Sequence, residues 1–147
     1  MFDLAALSQA IATHGRVVRV VIAAHDGSSP REVGASMLVW DQGQSGTIGG
    51  GALEYAAAAK ARAMLADGGR AVERVALGPS IGQCCGGAVT LWTEVFEAVP
   101  EPVAGVVALG SGAMPLAVKR VLVAARGQGL RPVAGLVAGW LVEPVAE

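Results

Sequence analysis

The sequence predicts an α/β domain, a mixed β-sheet with two helices packed against it, followed by an incomplete α/β tail. Three observations lead there. Short runs rich in Val, Ile and Leu recur between glycine-rich turns, as strands do. An alanine-rich stretch at residues 55–66 has the strongest helix propensity in the chain, and Asp67-Gly68-Gly69 ends it. Glu97-Ala98-Val99-Pro100-Glu101-Pro102 then gathers two prolines and two acids within six residues, which marks a linker. The expected organisation is a domain at 1–97, a linker at 98–104 and a partial α/β segment at 105–147.

The elements follow in order. Phe2, Leu4, Leu7, Ala10 and Ile11 recur at helical spacing, so residues 2–13 read as a helix that Gly15 stops. Residues 17–24 (VVRVVIAA) are too β-branched for a surface helix and read as a largely buried strand. A polar loop at 25–34 leads to a second strand at 35–40, a turn at 41–46 and a short third strand at Thr47-Ile48. Beyond the alanine helix, residues 71–77 alternate like a strand and 88–96 form another. In the tail, 103–109 read as a strand, 116–126 as a helix and 131–142 as a strand or pair of strands.

At 147 residues the chain has room for one well-packed domain, or one plus a fragment of another. It is 53% hydrophobic and 16% charged, with mean hydropathy +0.53, much of it in small side chains. No apolar run approaches the roughly 18 residues of a membrane span; residues 103–118 are broken by glycines, Ser111 and Pro115. Met1-Phe2-Asp3-Leu4 lacks the basic region of a secretory signal, so a cytoplasmic location is expected. Eleven basic against twelve acidic residues argue against nucleic acid as the main partner. The apolar tail would be easier to bury in a homodimer.

Candidate chemistry sits in three glycine-rich stretches. Gly49, Gly50 and Gly51 precede a helix that begins Ala52-Leu53-Glu54. Their amides and the helix dipole suit a phosphate, although the same glycines would also serve a tight turn. Glu54 falls where a residue caps a helix start. Ser28, Ser29 and Arg31 offer hydroxyls and a guanidinium for a phosphate or carboxylate, or form an ordinary turn in which Arg31 pairs with Glu32. The third stretch holds the only two cysteines, Cys84 and Cys85, adjacent and fenced by glycines, with the Gln83 amide before them. Adjacent cysteines close almost no loop as a disulfide, and they lack the spacing of a zinc site. Paired thiols on a glycine loop suit thiolate chemistry or contact with a bulky ligand.

Taken together, Gly27-Ser28-Ser29-Pro30-Arg31 with Gly34-Ala35-Ser36-Met37, then Gly46 to Glu54, then Leu77-Gly78-Pro79 with Gly82-Gln83-Cys84-Cys85-Gly86-Gly87, resemble the XdhC/CoxI family. These are accessory proteins that mature xanthine dehydrogenases and related molybdenum hydroxylases. The resemblance covers roughly residues 1–97, the family's N-terminal domain. It implies a chaperone that binds molybdenum cofactor (molybdopterin) as cargo and delivers it, once sulfurated, to the apo-enzyme. Its implied partners are the molybdenum subunit of the target and a cysteine desulfurase.

The implied cofactor-binding residues are Ser28, Ser29, Arg31, Gly49, Gly50, Gly51, Glu54, Gln83, Cys84 and Cys85, the two thiols being soft contacts for molybdenum or sulfur. No catalytic residue is assigned. Two departures stand out. Family members often carry cysteine where this chain has Ala52, and their Rossmann-like C-terminal part opens with a Gly-x-Gly-His-Val-Gly type of turn. Here Gly110-Ser111-Gly112-Ala113-Met114-Pro115 lacks the histidine and the third glycine, so the tail reads as incomplete and Rossmann-like, with no dinucleotide assigned. The alternative from another class is a small oxidoreductase or sulfurtransferase using Cys84 and Cys85.

Overall fold

One strand is buried on both faces, and the layers of the molecule are built outward from it. In the computed structural model, which describes residues 1–78 and 86–146, this is β1, Val17–Asp26. Its alternation sends Val18, Val20 and Ile22 to one side and Val17, Arg19, Val21 and Ala23 to the other. The first set shares a core with Leu53, Ala58 and Ala61 of helix α2 (Gly51–Met64). Val17 packs with Leu7 and Ala10 of helix α1 (Leu4–His14). The two helices thus lie on opposite faces of one sheet.

That sheet has the order β3-β2-β1-β5-β4, with β2 at Ser36–Trp40, β3 at Gly43–Gly46, β4 at Arg70–Ala76 and β5 at Ala88–Phe96. Every pairing in it is antiparallel. Helix α1 begins where the Asp3 carboxylate accepts the amide of Ala6 at 2.9 Å and ends at Gly15 with φ 79°. Arg16 then donates to the carbonyls of Leu65 and Ala66, at 2.8 and 2.9 Å, just past the end of α2.

The third strand is displaced from its expected place. Thr47 and Ile48 lie beyond β3, which occupies residues expected to form the turn. Trp40 pairs directly with Gly43, so Asp41-Gln42 is the whole hairpin loop. Gly43 suits that position because a Cβ there would sit 3.0 Å from the indole Nε1 of Trp40. Ile48 instead leaves the sheet and is fully buried beneath α2.

The tail forms a second antiparallel sheet, β6-β8-β7, from Val106–Leu109, Trp140–Pro144 and Gly135–Val137, with helix α3 at Leu116–Gln128. The expected strand–helix–strand succession is present as β6, α3 and β7, and the α/β class holds. Ala138 and Gly139, at φ 48° and 81°, turn β8 back between β6 and β7. The two parallel strands therefore never touch, as they would in a dinucleotide-binding unit. Gly110, first of the Gly-x-Gly pair, makes room for the Trp140 indole, into which a Cβ would collide.

Alternation along β6 and β8 builds the remaining layers. Val107 and Leu141 join the cores against the first sheet, while Val106 and Val142 face Val118 and Ala125 of α3. The succession is α2, first sheet, tail sheet, α3, with α1 beside the tail sheet. At the junction Arg19 of β1 meets Glu143 of β8 in a two-pronged ion pair at 2.6 and 2.7 Å, with both side chains buried. The guanidinium also lies 3.9 Å from the centre of the Phe2 ring.

Removing one partner of a buried, hydrogen-bonded pair leaves a charge without compensation. Glu143→Ala should therefore lower stability by about 3–5 kcal/mol in urea unfolding. Arg19→Met/Glu143→Leu should cost less than that single change, because both charges leave together. A loss below about 1 kcal/mol for Glu143→Ala would place the pair among weak surface bridges.

Candidate functional site

Antiparallel pairing brings three loops to one end of the first sheet. The β1–β2 loop leaves at Asp26, the β3–α2 turn at Gly46, and the β4–β5 connection opens at Leu77 and closes at Gly87. Glycines set the contacts between them. A Cβ on Gly49 would lie 2.5 Å from Cβ of Pro30, so the Pro30 ring rests on the glycine turn. A Cβ on Gly87 would strike the backbone oxygens of Asp26 and Ser28. The loop holding Ser28, Ser29, Pro30 and Arg31 is thereby flanked by the other two motifs.

Within the glycine turn, Glu54 supplies the acceptors. Its Oε1 accepts from Thr47 Oγ1 at 2.5 Å, the Ile48 amide at 2.9 Å and the Gly50 amide at 3.1 Å. Its Oε2 accepts from Gln44 Nε2 at 3.3 Å. The Gly49 amide donates to Thr47 Oγ1 at 2.9 Å. The hydroxyl of Thr47, then these amides, hold the Glu54 carboxyl below its usual range. The chain thus satisfies the turn itself through a carboxylate reaching back across a helix start, as in a capping box. The first turn of α2 carries no side-chain cap, and Gly51 and Ala52 lie exposed there.

The serine loop is also partly self-bonded. Ser29 Oγ donates to the Arg31 carbonyl at 2.7 Å, and His25 Nδ1 lies 3.1 Å from the Gly27 carbonyl oxygen. Arg31 pairs with Glu32 through two contacts of 3.1 Å at the surface, which lowers the Glu32 pKa to about 2. Ser28 is exposed. Beside the junction an apolar groove of about 130 Å³ runs between α2 and β4, lined by Ala52, Leu53, Ala56, Val75 and Leu91. Gln83, Cys84 and Cys85 lie outside the described residues.

Ser28, Ser29, Arg31, Gly49, Gly50, Gly51 and Glu54 are therefore drawn from separate stretches into one region. Sequence reasoning passed over Gln44 and Thr47, which hold Glu54, and the contacts of Pro30 and Gly87. Thr47 carried a usable signal, a hydroxyl directly before the glycines of a helix start.

The architecture is an α/β domain whose glycine-rich loops come together at one end of the first sheet. Residues 10–76 match the XdhC and CoxI family. It is also similar to a solved protein from Bacillus halodurans described as a xanthine dehydrogenase, with 27% identity and a TM-score of 0.57. That likeness covers 65% of this chain and 30% of the other, so the chain spans less than a third of that protein's length. No curated protein matches the chain. Among the described residues, no helix is long and apolar enough to cross a membrane.

Two substitutions test the geometry. Gly87→Ala should destabilise the chain by about 1–3 kcal/mol in chemical denaturation, because the obstruction is backbone. Glu54→Gln removes the charge and keeps the size. A lowered pKa contributes stability that is fully present above the usual value of 4.5 and is lost as pH falls through the folded-state value. The stability gap between wild type and Glu54→Gln should therefore be widest near neutrality and close below about pH 4.5. A gap independent of pH would remove the charge from the account.

Proposed function

We propose that the chain binds molybdenum cofactor and delivers it, after sulfuration, to apo xanthine dehydrogenase or a related molybdenum hydroxylase. The observation that carries this reading is that the serine loop, the glycine turn and Gly87, which closes the third motif, meet at one end of the first sheet, with Pro30 on Gly49 and Gly87 on Ser28. Motifs dispersed over the surface would not make a site for one ligand.

The donors present suit a molecule that ends in a phosphate. The uncapped first turn of α2, the exposed Ser28 hydroxyl and the Arg31 guanidinium are donors. Glu54 keeps the turn in shape, and the α2–β4 groove offers an apolar wall beside it. Cys84 and Cys85, between Leu77 and Gly87 in sequence, would supply soft sulfur contacts toward molybdenum, or take the outer sulfur of a donor persulfide with release of the donor's thiolate. A cysteine desulfurase would be the sulfur source. In this reading the chain is a carrier that performs no turnover of purine substrates, and the cofactor is its cargo.

The test is anaerobic equilibrium binding of isolated molybdenum cofactor to wild type, Cys84→Ser/Cys85→Ser and Arg31→Ala. Saturable binding near one per chain is expected, weakened about ten-fold or more by loss of the thiols. Arg31→Ala should weaken it by a smaller factor. Absence of binding to the wild-type chain would overturn the reading.

A further inference from the structure

Helix α3 has two apolar faces, and only one is covered. Val118 and Ala125 are buried against the tail sheet. On the outward side Leu116, Lys119, Arg120, Val123 and Gly127 follow helical spacing along a shallow groove of about 450 Å³. Leu116 and Val123 are 62% and 70% exposed, and Leu130, just beyond the helix, is 57% exposed. Exposed aliphatics scattered singly need no explanation, whereas a row along one helix side marks an interaction surface.

Two further features say what kind of surface fits there. Gly127 lies in the last turn of the helix, one residue before its end, and leaves the backbone bare on the outward side. A Cβ at that position would meet nothing within 4 Å, so no contact of this chain requires a bare backbone. The open space there would admit a close approach by another surface. The second feature is charge. Between Glu101 and Glu143 the chain holds Lys119, Arg120, Arg126 and Arg131 and no acidic residue. Lys119 and Arg120 border the groove, and neither forms an ion pair among the described residues.

We infer that the outward face of α3 docks a protein surface with an apolar ridge and an acidic rim. The ridge enters between Leu116 and Val123 and comes close to the backbone at Gly127. The rim pairs with Lys119 and Arg120. The inference rests on the reading above, and the partner is the xanthine dehydrogenase-type enzyme that receives the cargo. An anionic bilayer fits less well, because the face is short and carries no aromatic residue for the membrane interface.

The experiment measures binding of the full chain to the purified apo-enzyme of the same organism by biolayer interferometry. It compares wild type with Val123→Asp, Lys119→Glu/Arg120→Glu and Gly127→Gln. Each variant is expected to weaken binding about ten-fold or more, with molybdenum-cofactor binding and thermal unfolding unchanged. Charge reversal should also remove most of the salt dependence. If wild type binds the enzyme and the variants bind equally well, this inference fails and the carrier reading stands. If wild type does not bind the enzyme, delivery to it fails, and the docking inference fails with it. Phosphatidylglycerol-vesicle binding or concentration-dependent self-association that the same variants abolish would give the face to a membrane or a second copy, and overturn the inference.

Discussion

Arg19 stands in a strand whose buried stretch is otherwise valine, isoleucine and alanine, and the far side of the first sheet is arranged around it. A guanidinium so deeply buried needs a carboxylate of matching geometry. Glu143 arrives on β8, 124 residues later, and meets it with both oxygens. Phe2 lies over the same guanidinium, while its backbone joins the tail through bonds of 2.8 and 2.9 Å with Pro144 and Ala146. Three remote pieces of chain thus converge on one charge. Such a pair contributes less net stability than an apolar substitute of the same shape would, but it penalises other registers of β8, which would leave a charge buried alone.

At the other end of the sheet the constraint is steric. Antiparallel order sends the β1–β2, β3–α2 and β4–β5 connections out on one side, so topology alone makes them neighbours. What fixes their contact is the absence of side chains. Pro30 approaches Gly49, and Gly87 approaches the backbone of Asp26 and Ser28, at distances that any Cβ would forbid. Glu54 then satisfies donors that the turn would leave without protein partners. The glycines that resemble an anion cradle are engaged in shaping the region, and the first turn of α2 carries no side-chain cap.

Much of this was legible in the residues. β1 and β5 announced themselves by β-branched runs, α1 by its apolar spacing and Gly15, and α3 by a long stretch of helix formers. β3 was misplaced because Gly43-Gln44-Ser45-Gly46 has no β-propensity of its own and is held by pairing with β2. Arg19 was readable as an anomaly inside a buried strand, but periodicity carries no information on a partner so distant. The same limit applies to Gly110, whose close contact with the Trp140 ring no local pattern shows. Co-occurring motifs pointed to a shared site, whereas the contact of Pro30 with Gly49 needed three dimensions.

The layering also bears on how a carrier could release its cargo. The glycine-rich loops stand at one end of the first sheet, while α3 covers the far face of the tail sheet. On the proposed reading, cargo and recipient would use different surfaces and would not compete for one. Exchange would then proceed within one complex, where the cofactor need not cross bulk water. Affinity for the recipient would come from α3, and affinity for the cargo from the loops. Each can be tuned without loss of the other, because the rigid pairing of Arg19 with Glu143 keeps both layers in place.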